Sequence, residues 1–490
     1  MENINAYILF GGIYLVLLFF DGLLKSCLHY PYIKFLEEFN IKINYLSVKW
    51  KTKAFNRTLI KWGNSRPKLL KCWFSFGSYC SVFLLPISVF ILFYSIYQAL
   101  FGATETTDGG KSAVIGIIIP GLNLPFSEVG YYSVTLFICS AIHELGHSLA
   151  AVLEDVAVID IGCNLYFLLP IAYVNIATEN FFSLSYKRKL NILCAGVWHN
   201  ICLTFIFLGV YYSLPMVFSP LYSTGQGVSV SYVGNDSPLK SEFIGINVND
   251  VVLRINDCEI KDENTWYNCL QREQLSKTSI CIESDTIHSL DESIPLRHNA
   301  IGSIECCDPN NNRNLCFEYL DRGNGVLELP SYACLPARSV LETTKQFCTI
   351  EPHSCPKNLY CFRPLLGNNT HLFNIVCTNK QIIYLGSVND IWATVDVSPY
   401  ISKSNIFSVL IPDTVTKLSR YIVVISLGLA FVNILPITFM DGDYIITTLC
   451  LYILKKKLGR KASLLLSSLL KWFFTIILIV FLIYSVIKLY

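Results

Sequence analysis

The segment from Tyr131 to Leu153 constrains this chain most, because it has the length and composition of a bilayer-crossing helix and yet carries His143, Glu144 and His147. In an α-helix His143 and His147 share one face, so both imidazoles can reach a single zinc ion. Glu144 sits beside them. Zinc lowers the pKa of a bound water to about 7, so a neighbouring carboxylate can take that water's proton and deliver hydroxide to a peptide carbonyl. This is metalloprotease chemistry. A charged side chain near the membrane centre costs roughly 3 kcal/mol or more, so such residues inside an apolar run require a partner or a function.

Hydrophobic residues make up 53% of the 490 positions, against 15% charged, which is the composition of a polytopic membrane protein with one soluble part. The formal net charge of +2 gives no electrostatic ground for direct nucleic-acid binding. Of 19 cysteines, Cys258, Cys269, Cys281, Cys306, Cys307, Cys316, Cys334, Cys348, Cys355, Cys361 and Cys377 fall in one hydrophilic region. Close CxxC pairs with matching spacing are missing, so disulfides in an oxidising lumen are expected rather than zinc fingers, with at least one thiol left over.

Ile4 to Leu24 reads as a retained first membrane helix, and the basic stretch Lys25 to Lys71 as cytosolic. Within that stretch Asn56 begins a glycosylation acceptor sequence that would matter only in a lumen. Cys72 to Phe101 is a second span, kinked at Pro86. Ala113 to Phe126 is too short to cross and is broken by Pro and Gly, which suggests a re-entrant or interfacial segment, or a plain loop. Val156 to Ala177, interrupted by Gly162 and Pro170, is expected to form a membrane-embedded hairpin. Leu190 to Tyr212 is a further span. In its CAGVWHN, Gly196 lets another backbone approach, and Asn200 either donates to a substrate carbonyl as oxyanion charge develops or joins helices. His199 faces elsewhere and reads as a packing residue.

Gly225 to Asp413 is the soluble region. Its opening alternates β-rich runs with turn signals in a pattern like a PDZ domain, a fold that offers a sheet edge to an extended peptide. Cys281 to Cys377 reads as an insertion, with Ile382 to Pro399 supplying a closing strand. Asn235 and Asn368 stand in acceptor sequences for a lumenal glycan. After the span Leu418–Leu435, Asn433, Pro436 and Gly442 mark backbone leaving helical geometry. Asp441 is then the natural third metal ligand, with Asp443 competing for the role. Lys455 to Lys461 is basic and cytosolic, and Ser463 to Tyr490 is a last span.

HELGH at 143–147, CAGVWHN at 194–200, and Asn433 and Pro436 followed by Asp441-Gly442 resemble, in order, the motifs of the site-2 protease family of intramembrane zinc metalloproteases. PGLNLP at 120–125, ECC at 305–307 and CLPAR at 334–338 resemble its animal members, although Thr438, Phe439 and Met440 depart from the Pro and Leu that bacterial members often carry. The resemblance implies one zinc ion held by His143, His147 and Asp441, Glu144 as general base, and Asn200 or Asn433 assisting at the scissile carbonyl. It also implies the substrates: membrane-tethered transcription factors such as the sterol regulatory element-binding proteins, cut within the bilayer after a first lumenal cleavage. A multi-pass location in the Golgi or endoplasmic reticulum follows from the same resemblance, as does a role in cholesterol metabolism and the unfolded protein response.

The expected architecture is a polytopic α-helical membrane protein of about six spans plus re-entrant segments, with an inserted lumenal PDZ-like, β-rich and cysteine-rich domain. Its parts are 1–71 (first helix and basic segment), 72–224 (core with the HExxH and GxxxN helices), 225–413 (lumenal) and 414–490 (core with the Asp-Gly segment). The alternatives are a zinc protease of prenylated proteins, whose third ligand is a Glu on a later helix, and a non-catalytic chaperone, receptor or zinc transporter. An intact Glu144 between the histidines disfavours the latter group.

Overall fold

The structure, a computed structural model, describes residues 2–45, 47–101, 128–240, 245–275, 278–298, 304–308, 313–320, 329–343, 346–348, 355–356, 358–367, 369–404 and 407–489. The stretch 113–126 and Asn368, both singled out above, lie outside the described residues. The chain forms two compact units, one of residues 1–212 and 417–490 and the other of residues 213–416.

The first unit begins with α1 (Glu2–Ser26) and α2 (Tyr30–Glu38), with a 115° bend between Gly11–Ser26 and α2. Then follow strands β1 (Ile41–Asn44) and β2 (Ser47–Thr52), α3 (Asn56–Gly63) and α4 (Pro67–Phe101). Next come α5 (Val129–Leu153), β3 (Val158–Tyr166), β4 (Leu169–Ile176), α6 (Thr178–Ser183), α7 (Tyr186–Leu193) and α8 (Ala195–Phe218). After the second unit, α9 (Leu410–Ile434) and α10 (Asp441–Leu489) complete it, α10 being broken at Gly459, whose φ is +81°. Among the described residues five helices are long and apolar enough to cross a bilayer, or six if the bent pair at the start counts as one span. Bulky side chains such as Phe83, Phe90, Phe205 and Trp472 stand exposed on these helices. In lipid such exposure carries no hydrophobic penalty.

The hairpin expected over Val156–Ala177 is a pair of β-strands, and β1 and β2 extend it into a four-stranded antiparallel sheet of order β1-β2-β3-β4. The basic stretch before residue 72 therefore holds two strands and α3 in addition to charge, with Trp50 registered against Cys163. Asn56 uses its side-chain nitrogen internally, donating to the carbonyls of Val158 (3.0 Å) and Ile159 (3.1 Å), which ties α3 to β3. Small residues of α5 and α8 pack a common core: Ala150, Ala151, Ala195 and Val197 are buried with Phe74, Ile192 and Ile434. Close helix approach through small side chains is what membrane helices use in place of a hydrophobic driving force.

The second unit holds a six-stranded sheet. Its path runs 381–386, 371–377, 251–255, 228–233 and 395–398, with 258–259 beside 251–255. The core of that sheet packs on the helix Glu263–Leu275 through Trp266, Leu270, Ile255 and Phe373. A separate five-stranded sheet gathers 279–283, 314–319, 332–336, 347–348 and 359–364, the stretch read above as an insertion. Ten of the eleven cysteines of the region form disulfides: Cys258–Cys269, Cys281–Cys355, Cys306–Cys316, Cys307–Cys334 and Cys348–Cys361. Cys377 is the leftover thiol, buried in the first of the two sheets, where burial pushes its pKa up to about 12.

Glu273, on the Glu263–Leu275 helix, is 2% exposed and accepts hydrogen bonds from Asn256 (2.7 Å) and from the Thr278 hydroxyl. Burial raises its pKa, against the lowering effect of those hydrogen bonds. A carboxyl with a raised pKa in the folded state contributes stability that is complete below its unfolded value and fades as pH rises through the folded one. The second unit is therefore expected to lose stability from mildly acidic to neutral pH, and Glu273→Gln is expected to flatten that slope. Pulse proteolysis of the full chain, scored on fragments of 213–416 across pH, checks it.

Candidate metal centre

His143 and His147 are 5% and 8% exposed, on the face of α5 that turns toward α8 and the start of α10. Their Nε2 atoms lie 3.1 Å apart, and Asp441 Oδ2 is 3.0 Å from the first and 3.2 Å from the second. The three donors, drawn from positions almost three hundred residues apart, form a near-equilateral triangle. Three ligands about 2.0–2.1 Å from a tetrahedral ion would stand about 3.4 Å from one another, so a zinc ion fits with outward shifts of tenths of an ångström. The donor chemistry agrees with that fit. Two imidazole nitrogens and a carboxylate converging in a dry site repel or compete for protons unless a cation joins them.

Each ligand is aimed by its surroundings. His147 Nδ1 donates to the Ile192 carbonyl at 2.8 Å, at the break between α7 and α8, which leaves Nε2 as the bare nitrogen. Gly196 faces the ligands: a Cβ there would lie 2.4 Å from His147 Nε2 and 2.6 Å from His143 Nε2. The close approach expected at this glycine is thus made by the imidazole pair. Asp441 opens α10 after a loop that begins beyond Ile434. In that loop the Leu435 carbonyl accepts from Ile437 N (2.7 Å), Thr438 N donates to Thr475 Oγ1 (3.1 Å), and Phe439 takes a φ of +73°. Gly442 is obligatory, since a Cβ would fall 1.9 Å from the Leu435 carbonyl oxygen. Asp443, the competing candidate, instead pairs with Lys471 at 2.6 Å. Lys471 inside the last apolar run was the sequence signal for that partner, because an ionisable group at such depth needs one.

Glu144 is half-buried, and its Oε2 accepts from the backbone N–H of Val174 at 3.1 Å. One turn earlier Ser140 Oγ accepts from Ala172 N at 3.0 Å, so two α5 side chains dock on the outer edge of β4. Beside Glu144 lies a largely apolar cavity of about 200 Å³, lined by Ala141 and Leu145 of α5, Tyr173 of β4, and Trp50, Phe55 and Leu59 from the N-terminal elements. Motif reading gave no sign of Ile192, Val174 or these N-terminal residues, because none of them carries the chemistry.

Asn200, 0% exposed, stands with its side-chain nitrogen 3.2 Å from His143 Nδ1. Asn433 is half-buried in the last turn of α9, with no hydrogen-bond partner for its side chain among the described residues. His199 is a packing residue as expected. Its Nδ1 donates to the Ala195 carbonyl at 2.9 Å and its ring lies 5.6 Å from that of Phe74.

A family model described as peptidase family M50 matches residues 131–478, a span that contains His143, Glu144, His147, Asn200, Asn433 and Asp441. The chain is also 26% identical over 349 residues to a membrane-bound transcription factor site-2 protease homolog of Arabidopsis thaliana, a match covering 70% of this chain and 59% of that protein. It therefore spans about three fifths of that relative's length.

Because Gly196 leaves no room for a side chain, Gly196→Ala is expected to push the two imidazoles out of the triangle and weaken zinc retention by about tenfold or more. Metal analysis of the purified variant after graded chelator treatment checks this, with helical content by circular dichroism showing that the fold is kept.

Proposed function

The chain belongs to peptidase family M50, and from that premise we propose that it is an intramembrane zinc endopeptidase that cuts the transmembrane helices of membrane-tethered proteins. The family consists of zinc metalloproteases. The observation that carries the reading is the pairing of a closed His143–His147–Asp441 triangle with Glu144 beside it, all on helices of bilayer length and composition. An aspartate closing the triangle from the start of α10 favours it over an enzyme of prenylated proteins. Membrane-tethered transcription factors are the proposed substrate class, consistent with the name of the Arabidopsis thaliana relative. A lumenal setting for 213–416, in the endoplasmic reticulum or Golgi, is consistent with its five disulfides and with an exposed Asn235 in a glycan acceptor sequence.

A zinc ion held by the triangle would supply a Lewis acid for the scissile carbonyl and bring the pKa of water toward neutrality. Glu144 is placed to take the proton of the attacking water and hand it to the leaving amine. Asn433, with a free side-chain amide near the Asp441 loop, is the proposed donor to the developing oxyanion. A helical peptide bond is shielded by its own hydrogen bonds, so the substrate must unwind before attack. The cavity beside Glu144 offers an apolar side chain a place to rest, since one of about 150 Å³ already holds benzene.

Glu144→Gln is expected to keep zinc at wild-type content while lowering cleavage of a tethered reporter by at least about 10²–10⁴-fold; retained cleavage would exclude the base role. Ala141→Phe, which fills the cavity, is expected to keep zinc and slow cleavage by about 10- to 100-fold through displaced substrate, measured on the same reporter.

A further inference from the structure

Gly196 and Asn200 lie four residues apart on α8 and meet the same imidazole from two sides, the glycine facing His143 Nε2 and the asparagine facing Nδ1. We propose that Asn200 is a positioning residue: its side-chain oxygen accepts the Nδ1–H of His143 and so holds that ring in the tautomer whose Nε2 is free for the metal. This rests on the zinc-site reading given above.

With the amide nitrogen turned toward the ring at 3.2 Å, Nδ1 would be the acceptor and the ring's single proton would sit on Nε2. That is the atom 3.0 Å from Asp441 Oδ2 and 3.1 Å from His147 Nε2, the corner of the triangle where a metal ligand must be bare. The oxygen and nitrogen of a side-chain amide fill nearly the same volume, and their partners decide which is which. In the nitrogen-inward arrangement Asn200 Oδ1 is buried with no hydrogen-bond partner. Exchanging the two atoms gives Oδ1 the Nδ1–H as donor and leaves Nε2 without its proton. The amide N–H groups then point into the space that Oδ1 had occupied. His147 is already held in the same manner, with Nδ1 donating to the Ile192 carbonyl at 2.8 Å. Both imidazoles thus have an oxygen acceptor behind them, as ligating histidines usually do.

The backbone of Asn200 is pinned for this task, because its carbonyl accepts from Thr204 Oγ1 at 2.9 Å and from Ser426 Oγ of α9 at 3.0 Å. The GxxxN spacing acquires a physical meaning here. One face of one helix makes room for the metal-binding nitrogens and fixes the proton on the far nitrogen of His143.

The test separates an acceptor from a donor. In the full-length detergent-purified protein, zinc affinity is measured by chelator competition for wild type, Asn200→Ala and Asn200→Asp. The alanine variant is expected to bind zinc about 10- to 100-fold more weakly. The aspartate variant, nearly isosteric and unable to donate, is expected to bind as tightly as wild type or more so. Wild-type affinity in Asn200→Ala, or an Asn200→Asp as weak as it, overturns the proposal. If Asn200→Ala does not fold, Asn200→Asp decides alone: retention supports the acceptor role and loss refutes it. Because the readout is metal affinity, the expected order in a chain that cuts no reporter would refute the protease reading and leave this role standing.

Discussion

Two imidazoles and a carboxylate converge within hydrogen-bond distance in a buried site, an arrangement that a cation at its centre would stabilise. Each ionisable group costs several kcal/mol when buried alone, whereas a shared divalent ion turns mutual repulsion into coordination. Much of the surrounding architecture serves that condition. The break between α7 and α8 presents the Ile192 carbonyl to His147, and the break between α9 and α10 lets Asp441 enter from a helix start. At that start the backbone N–H groups favour a carboxylate.

Open sheet edges are excluded from lipid, because their backbone groups find no partners there. At the β4 edge of the four-stranded sheet two side chains of α5 pair with the amides, Ser140 with Ala172 and Glu144 with Val174. The same contact holds the Glu144 carboxylate against β4. On the other side β1 and β2 continue the sheet, and α3 is fastened to β3 through Asn56. The N-terminal elements thereby line the cavity next to Glu144, although they precede the residues that the family model matches.

The residues of the candidate triangle stand out in the sequence because ionisable residues are conspicuous in apolar runs and because Asp441 sits between backbone breakers. The choice between Asp441 and Asp443 was not settled by the local sequence, since each is an aspartate beside Gly442; it turns on Lys471, a turn-and-helix away. The leftover cysteine was legible as a number and not as a residue, since parity cannot name Cys377. Strands β1 and β2 went unread although Val48, Lys49, Trp50, Lys51 and Thr52 alternate as a half-buried strand does, because lysines in a basic stretch announce topology before they announce pairing. Ile192 and Val174 contribute only backbone atoms to the centre, so no residue type could have announced them.

Much of the site's precision comes from atoms that are missing. At Gly196 a methyl group would occupy the space of the ligand nitrogens, at Gly442 it would enter the Leu435 carbonyl, and at Gly146 it would strike the Ala195 carbonyl at 2.6 Å. The first lets α8 reach the ligands, the second lets the Asp441 loop fold back on itself, and the third lets α5 and α8 touch along the same line. Side-chain packing alone would hold these helices some 8–10 Å apart, too far for short ligands on one to be aimed by the other. Removing Cβ atoms along a single seam brings the backbone itself up to the metal site, where its carbonyls and one asparagine can orient the imidazoles without adding any further charge to the membrane interior.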